Sequence, residues 1–568
     1  MSERTALLRK ARKRREEAGF MSRLDYFLVF PALLSNTFIA AFESTIAAST
    51  QSSIGADFNA SDNIAWVATS YMIVSTALSP LYGRASDLFG RTVVFVFAVS
   101  VFSLGCLACG LSQSLGQMIA ARVFCGIGGA GLITAAQACT WDILPFRLRP
   151  LYQGFNNTIY GLGGALGASL GGFLADTIGW RFAYFFPVPL GLFAITVFLS
   201  KVRPKILELR AGEKPSLSVS DIDYIGSLLL MTAITLLMVV VNLGGDEIPW
   251  RSPWIPALIA LVILFSAVFF RHEKRVTLPV LPLKLLANRH MASLVGLNFF
   301  GSMAITGSLY LIPLFFQSTL LTSAAVASRR LLFPTLAAPI GSVLTGIFLH
   351  RYRSKAYLSQ RLGAFILFGG TLALLSLSLQ DNSNKGEWAF GIHLLWVHFG
   401  MGICFISSLM NILDSAGSDH AAASSMVFLI RSLGSVIGIS GSQAVFQNVL
   451  QHQLINNITG PHSKKTIRAI RSSLSYLHGL GPDLQQAAIR AYEVASQASF
   501  AFLAIVAGIG FVALLGGIGA ETYAEVNNSY ISIRQDDGQQ YGPADGDDDD
   551  DDEPETEPPL AEGLPAIE

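Results

Sequence analysis

Charged residues are scarce in this chain, and their scarcity limits the kinds of protein that it can be. Only 14% of its 568 residues are Asp, Glu, Lys or Arg, whereas about 25% are charged in a typical soluble protein. Hydrophobic residues make up 52% of the chain. Because this balance extends over most of the length, it argues against a soluble globular protein and predicts a polytopic membrane protein.

Sequence signatures of enzymes are missing as well. There is no Gly-x-x-x-x-Gly-Lys-Ser/Thr phosphate loop. His, Cys and carboxylate residues do not cluster at metal-ligand spacings. The chain has five cysteines, and we interpret Cys106 and Cys109 as small packing residues of an apolar helix. We therefore expect no catalytic residues, no cofactor, no metal and no ATP-driven activity.

Long apolar segments are the dominant feature of the sequence. A helix needs about 20 mostly apolar residues to cross a bilayer. Such segments occur at 26–50, 64–82, 92–112, 116–140, 151–176, 180–200, 222–243, 254–271, 291–316, 323–349, 358–379, 389–413, 422–448 and 498–519. The connections at 83–91, 146–150, 201–205, 271–275 and 350–355 are basic, and the positive-inside rule places these connections and both termini in the cytoplasm. The predicted fold is an all-α bundle of about fourteen spans.

The two ends of the chain carry opposite charge, and both are expected to be disordered and cytoplasmic. We predict a basic head at 1–24, a six-helix bundle at 25–200, two extra helices with linkers at 201–289, a second six-helix bundle at 290–520 and an acidic tail at 521–568. The second bundle would include an outer loop at 449–497, in which 484–495 forms a helix along the surface. Sequons on outer loops make Asn59 and Asn457 candidates for glycosylation.

A short charged sequence, Leu81-Tyr-Gly-Arg-Ala-Ser-Asp-Leu-Phe-Gly-Arg91, separates the second and third apolar segments. Its glycines permit a tight reversal, and Asp87 is expected at a helix N-terminus, where the dipole favours an anion, with Arg91 as its partner. An ordinary positive-inside loop would explain the arginines but not the aspartate and the paired glycines. The sequence resembles the signature loop of the major facilitator superfamily of secondary transporters. This resemblance implies a conformational latch formed by Gly83, Asp87, Gly90 and Arg91.

Two charged residues lie inside apolar segments, where a charge is costly and is a functional hypothesis by default. Glu43 stands mid-way along the first segment, where burial disfavours the charged carboxylate and so favours proton uptake. Arg122 begins the sequence Arg-Val-Phe-Cys-Gly-Ile-Gly, which resembles a superfamily motif linked to proton transfer. The resemblance implies proton coupling by Glu43 and Arg122. The alternatives are a structural ion pair between them and an arginine that extends from a helix end towards the interface.

The fifth apolar segment carries a stripe of small residues at Gly163, Gly167, Gly171 and Gly172. Such stripes allow close helix packing. The stripe resembles the antiporter motif of the superfamily, although Ala168 stands where that motif has proline. The departure leaves open whether the kink expected from that proline is present.

Polar residues inside the spans are candidates for a substrate cavity near the bilayer midplane. The candidates are Asn156, Tyr160, Asn298, His398 and Arg431. His398 could change charge near physiological pH. For the asparagines and for His398, hydrogen bonds that hold helices together are the alternative interpretation.

The narrower sequence Phe428-Leu-Ile-Arg-Ser-Leu-Gly434 resembles the fungal fourteen-spanner drug:proton antiporters, and within that branch the vacuolar basic amino acid transporters. The resemblance implies a proton-coupled antiporter that moves cationic metabolites, such as basic amino acids, from the cytosol into the vacuole. The alternatives are a plasma-membrane efflux pump for drugs or secondary metabolites and a transporter-like sensor. We expect a monomer in the lipid bilayer whose partners are protons and a small-molecule substrate, not nucleic acid.

Overall fold

The computed structural model describes residues 23–58, 65–144, 148–204, 223–243, 252–276, 279–281, 288–321, 324–352, 355–380, 389–415, 420–458, 466–467, 470, 476–477 and 480–517. Residues 1–22 of the basic head, the acidic tail and the sequon residue Asn59 lie outside this part of the chain.

All regular structure in the described residues is helical. The helices are α1 (Arg23–Asp57), α2 (Ala65–Leu88), α3 (Arg91–Leu111), α4 (Leu115–Ile143), α5 (Arg149–Thr177), α6 (Trp180–Phe185), α7 (Pro187–Val197, continued by a π-turn at Phe198–Val202), α8 (Tyr224–Leu243), α9 (Trp254–Glu273), α10 (Arg289–Ser318), α11 (Ala324–Arg351), α12 (Ala356–Ser378), α13 (Ala389–Ser415), α14 (His420–Asn457) and α15 (Pro482–Gly516). A helix satisfies all of its backbone hydrogen bonds internally, which is what a bilayer requires of a spanning segment.

Each of the predicted apolar segments corresponds to one of these helices, with α6 and α7 together forming a single segment. Among the described residues, 12 helical segments are long and apolar enough to cross a membrane. The two helices outside this set are α2, in which Ser and Thr residues dilute the apolar stretch, and α11, of which only Leu336–Arg351 qualifies as a shorter apolar helix. The all-helical, multi-spanning architecture is therefore confirmed, and the number fourteen stays a prediction.

The helices pack into a first group, α1 to α7, and a second group, α10 to α15. In the first group α1 packs on α5 and α4 packs on α2 and α3, whereas in the second α13 packs on α11 and α12, and α10 on α14 and α15. Buried aromatic rings fill both interiors, among them Phe42 and Phe102 in the first group and Phe315 and Phe390 in the second. Helices α8 and α9 pack on each other, and α8 also contacts α2 and α14.

The structure corrects the prediction for the charged sequence after the second apolar segment. Helix α2 continues through Gly83 and Asp87 to Leu88, so the chain reverses only at Phe89 and Gly90. Gly90 has a φ of 86°, a conformation that favours glycine. Asp87 lies in the last turn of α2, so its prediction at a helix N-terminus is wrong, and the dipole of α2 does not favour a carboxylate there.

The predicted outer loop at 449–497 is shorter in the structure. Helix α14 extends to Asn457, which is exposed, and α15 begins at Pro482. The segment 484–495 is helical as expected, but it continues without a break into the last apolar segment. It therefore does not form a separate helix along the surface.

Candidate functional site

Glu43 of α1 and Arg122 of α4 form an ion pair inside the first helix group. Arg122 Nη1 donates a hydrogen bond to Glu43 Oε1, and Arg122 Nε donates to the backbone carbonyl of Val67 at 2.7 Å. Both charged residues are 0% exposed. An arginine and a carboxylate that neutralise each other in this way lower the cost of burying either charge.

Aromatic rings enclose the guanidinium group of this pair. Arg122 Cζ lies 4.5 Å from the ring centroid of Tyr71 and 5.9 Å from that of Tyr184. Rings at these distances favour a cation over their faces. Sequence reasoning missed Tyr71, Tyr184 and the carbonyl of Val67, because a ring or a carbonyl that faces an arginine leaves no pattern in the sequence.

Two cysteines lie on the other side of the carboxylate. Cys106 Sγ is 4.0 Å from Glu43 Oε2 and 3.6 Å from Cys125 Sγ. The thiol next to that of Cys106 belongs to Cys125 on α4. The C-x-x-C spacing of Cys106 and Cys109 therefore does not describe the contact that Cys106 makes. Small thiols here leave the carboxylate in apolar surroundings apart from Arg122.

The small-residue stripe of α5 packs against α1, the helix that carries Glu43. A Cβ atom would collide with the backbone carbonyl of Phe38 at Gly163 (2.6 Å), with Phe42 and Thr45 at Gly167, and with Ile46 and Ser49 at Gly171. Gly172 does not share this packing, because no atom lies within 4 Å of the place its Cβ would take. The stripe therefore consists of three of the four predicted glycines.

The cavity candidates of α5 have different surroundings. Asn156 is buried, and its Oδ1 accepts a hydrogen bond of 2.6 Å from Thr37 Oγ1 of α1, so it joins two helices and does not face a cavity. Tyr160 is 47% exposed. Of these two candidates, Tyr160 is therefore the one with accessible surface.

A second buried arginine, Arg431 of α14, lies inside the second helix group. Its Nε donates to Asn298 Oδ1 of α10 at 2.7 Å, and its Nη2 donates to the carbonyl of Phe405 of α13 at 2.8 Å. Arg431 Cζ is 4.2 Å from the ring centroid of Phe405. Asn298 is itself held by hydrogen bonds of 2.8 Å to Ser408 Oγ and to the carbonyl of Leu294.

His398 of α13 does not belong to this constellation. It is 2% exposed, and its Nδ1 lies 3.0 Å from the carbonyl of Leu394 on the same helix. Its Nε2 is buried without a hydrogen-bond partner in the described residues. The expectation that His398 lines a cavity is therefore not met in this conformation, and the alternative of a packing residue fits its surroundings.

The charged ends of α2 and α3 are held by neutral oxygen atoms. Arg91 Nη1 donates to Ser86 Oγ at 2.8 Å, and Arg84 Nε donates to the carbonyl of Pro279 at 2.7 Å. The side chain of Asp87 lies outside what the structure describes. Arg84 thus ties the end of α2 to the segment that follows the two extra helices.

Hydrogen bonds between the two helix groups lie in the halves of the spans that the topology predicts to be cytoplasmic. Three such bonds join Thr76 to Ser432 (3.0 Å), Trp141 to Ser424 (3.1 Å) and Asn157 to Ser342 (3.1 Å). We refer to these six residues as the gate.

Glycine contacts between the two helix groups lie beside these hydrogen bonds. The backbone of α11 would meet a Cβ atom at Gly154 (3.0 Å from Ser342 O), and that of α5 would meet one at Gly346 (2.6 Å from Pro150 O). The helices α5 and α11 therefore approach closely beside the gate.

Known proteins are similar to this chain in sequence and in architecture. Residues 33–439 match the family model described as Major Facilitator Superfamily. The chain is 34% identical to the multidrug resistance protein fnx1 of Schizosaccharomyces pombe over 90% of this chain and 95% of that protein. It is 31% identical to vacuolar basic amino acid transporter 2 of Saccharomyces cerevisiae over 76% of this chain and 93% of that protein.

A solved structure shares the fold. The proton:xylose symporter XylE aligns over 85% of this chain and 94% of its own, with a TM-score of 0.53 and 13% sequence identity. At that identity the likeness concerns the fold alone, and the family follows from the sequence matches. The chain therefore belongs to the major facilitator superfamily and is an integral, multi-pass membrane transporter of small molecules, not an enzyme.

Proposed function

We propose that this transporter is a proton-coupled antiporter that moves small organic metabolites, such as basic amino acids, from the cytosol into the vacuole. The observation that carries the proposal is the fully buried ion pair of Glu43 and Arg122. A carboxylate in the interior of a membrane protein is where a coupling proton can bind. The name of the Saccharomyces cerevisiae relative supports the substrate class and the vacuolar membrane.

Proton binding to Glu43 would remove one charge of the pair and leave Arg122 held by the carbonyl of Val67 and the ring of Tyr71. The two protonation states therefore differ in how strongly α1 is tied to α4. Because the stripe glycines pack α5 tightly on α1, a shift of α1 is expected to move α5 as well. Helix α5 contributes Asn157 to the gate, which gives the proton site a path to the gate.

Alternating access requires that the two helix groups separate at one end while they meet at the other. In the predicted topology the gate is cytoplasmic, so this conformation corresponds to one that is closed towards the cytosol. We propose that the latch residues Gly83, Asp87, Gly90 and Arg91 stabilise this closed gate. The proposal also includes fourteen spans, two cytoplasmic termini, the domain division given above and a monomeric state.

A second candidate function is efflux of drugs or secondary metabolites across the plasma membrane. The name of the Schizosaccharomyces pombe relative, a multidrug resistance protein, favours it. Both functions are antiport out of the cytosol and would use the same proton site.

The test is proton-driven uptake of labelled lysine and arginine into liposomes that contain the purified protein, with a lipophilic cationic drug in parallel. We expect saturable amino acid flux that an uncoupler abolishes, and loss of that flux in Glu43→Gln. Asp57→Asn is the matched control, because Asp57 lies on the same helix but is exposed at its end. Drug flux without amino acid flux would favour the efflux pump, and full proton-driven flux in Glu43→Gln would remove Glu43 from coupling.

A further inference from the structure

Arg431 is a buried cation to which the described residues supply no counter-ion. It is 9% exposed, and no carboxylate of the described residues lies within ion-pair distance of it. Its polar contacts are the amide oxygen of Asn298 and the carbonyl of Phe405, which are both neutral. A buried charge is stable when it is paired, so an unpaired one points to a partner that arrives from outside the chain.

One edge of the guanidinium group remains available for such a partner. The group has five N–H donors in a fixed plane. Nε and Nη2 use one hydrogen each for Asn298 and Phe405, whereas Nη1 makes no hydrogen bond within the described residues. Nη1 is not among the buried atoms of the described residues that lack a partner, and Arg431 as a whole is 9% exposed. The Nη1 and Nη2 edge can therefore receive a planar anion with two oxygen atoms.

The surroundings hold this edge in one orientation. Asn298 is fixed by Ser408 and by its own helix, and the ring of Phe405 stacks on the guanidinium plane at 4.2 Å. Such a preformed arginine binds a carboxylate with little loss of conformational freedom.

The location suits a substrate that moves between the two helix groups. The neighbouring residue, Ser432, contacts Thr76 of α2 across the gate. Arg431 itself contacts α10 and α13 inside the second group, one residue before the position at which α14 meets α2 of the first group.

We infer that Arg431 binds the carboxylate group of the transported substrate, with Asn298 and Phe405 as its positioning residues. The inference rests on the proposed function and narrows the substrate to molecules that carry a carboxylate besides any cationic group. An unpaired positive charge attracts a zwitterion by its carboxylate and repels a cation that has none. The site therefore selects an amino acid over the amine that remains after decarboxylation.

Two matched pairs of compounds test this selection. Lysine and arginine are compared with cadaverine and agmatine, which keep the cationic side chain and lack the carboxylate. The assays are competition with labelled lysine uptake in phosphatidylcholine liposomes and the thermal unfolding midpoint of the purified protein. For the wild-type protein we expect lysine and arginine to bind about 10- to 100-fold more tightly than the two amines, as for a hydrogen-bonded charge.

Variants of Arg431 test whether this residue is the cause of the preference for amino acids over amines. In Arg431→Gln we expect a KM for lysine about 10- to 100-fold higher and loss of the preference over cadaverine, whereas Arg431→Lys retains part of both. Arg181→Gln is the control, because Arg181 is an exposed arginine that is already paired. The thermal unfolding midpoint without ligand shows whether each variant is folded. If Arg431→Gln does not fold, Arg431→Lys, which keeps the positive charge, provides the test.

The outcomes separate this inference from the proposed function. Proton-driven flux of cadaverine equal to that of lysine leaves antiport standing and overturns the carboxylate site. An equal fall of kcat for both compounds in Arg431→Gln, with no change of preference, also overturns it. Proton-driven flux of the lipophilic cation alone overturns both the amino acid function and the carboxylate site.

Discussion

Arg122 in the first helix group and Arg431 in the second are both buried, and their surroundings differ in one respect. Arg122 and Arg431 both lie on an aromatic ring, with Cζ at 4.5 Å and 4.2 Å from the ring centroids, and both donate to a backbone carbonyl. Arg122 faces the carboxylate of Glu43, whereas Arg431 faces the amide of Asn298. The described residues supply a counter-ion at the first site and none at the second.

The difference indicates that the two helix groups have different functions in transport. Under the proposed function, the ion pair of Glu43 and Arg122 is the site that responds to a proton, because a proton is the smallest ligand that can alter the pair. A site that lacks a counter-ion responds to an anionic group brought by the substrate. Coupling would then link a proton switch in the first group to a substrate switch in the second through the gate.

Removing the arginine should therefore cost much more stability at the first site than at the second, and this is the largest effect we expect. Arg122→Met leaves Glu43 buried without a partner, which should lower the free energy of unfolding by about 3–5 kcal/mol. Arg431→Met leaves no charge behind, so its loss should be much smaller. Thermal and denaturant unfolding of the purified protein measure both.

The double variant Glu43→Gln with Arg122→Met tests the reason for this effect. Because it leaves no buried charge, it should regain much of the stability that Arg122→Met loses. Equal losses in Arg122→Met and Arg431→Met would contradict the idea that only one of the two sites contains its counter-ion.

The packing that connects the proton site to the gate can be loosened at one position of the glycine stripe. In Gly167→Ala the new Cβ meets the backbone of Phe42 and Thr45 Oγ1, so we expect a loss of about 1–3 kcal/mol in stability and a lower rate of proton-driven flux. Gly172→Ala is the control, because the space around Gly172 is open. Similar behaviour of the two variants would argue against the stripe as the connection between α1 and α5.

The gate offers a third test, with an effect on conformation more than on stability. Gly346→Ala places a Cβ against the carbonyl of Pro150, at 2.6 Å in this structure, and should disfavour the closed gate. We expect labelling of Ser432→Cys by a hydrophilic maleimide from the cytoplasmic side to rise up to about tenfold, as for a shift of about 1.4 kcal/mol. Gly369→Ala, where no atom lies within 4 Å of the new Cβ, should leave labelling unchanged.

The sequence allowed the helices to be placed, because an apolar run of about 20 residues has few alternatives in a bilayer. It failed at the end of α2, where Gly83 suggested a reversal although glycine is common inside membrane helices. The pairing of Glu43 with Arg122 was one of two interpretations that the sequence left open, since 79 positions separate them. The contacts of Arg431 and His398 could not be predicted, because they depend on how three helices meet.

A third arginine, Arg181, provides the exposed counterpart of the comparison and the smallest expected effect. It donates to Asp57 Oδ2 at 2.8 Å, and the two side chains are 38% and 44% exposed. The hydrogen bond from Arg181 holds the pKa of Asp57 below its usual range. Because the pKa is lower in the folded than in the unfolded protein, the pair stabilises the fold above about pH 4, and this contribution is lost as the pH falls through the folded-state pKa.

Solvent screens an exposed pair, so Asp57→Asn should cost no more than about 0.2–1 kcal/mol at pH 7. The unfolding midpoints of wild-type and variant proteins should converge at acidic pH and in high salt, where the pair at Asp57 no longer contributes. A difference that persisted under both conditions would mean that Asp57 stabilises the end of α1 by packing and not by charge.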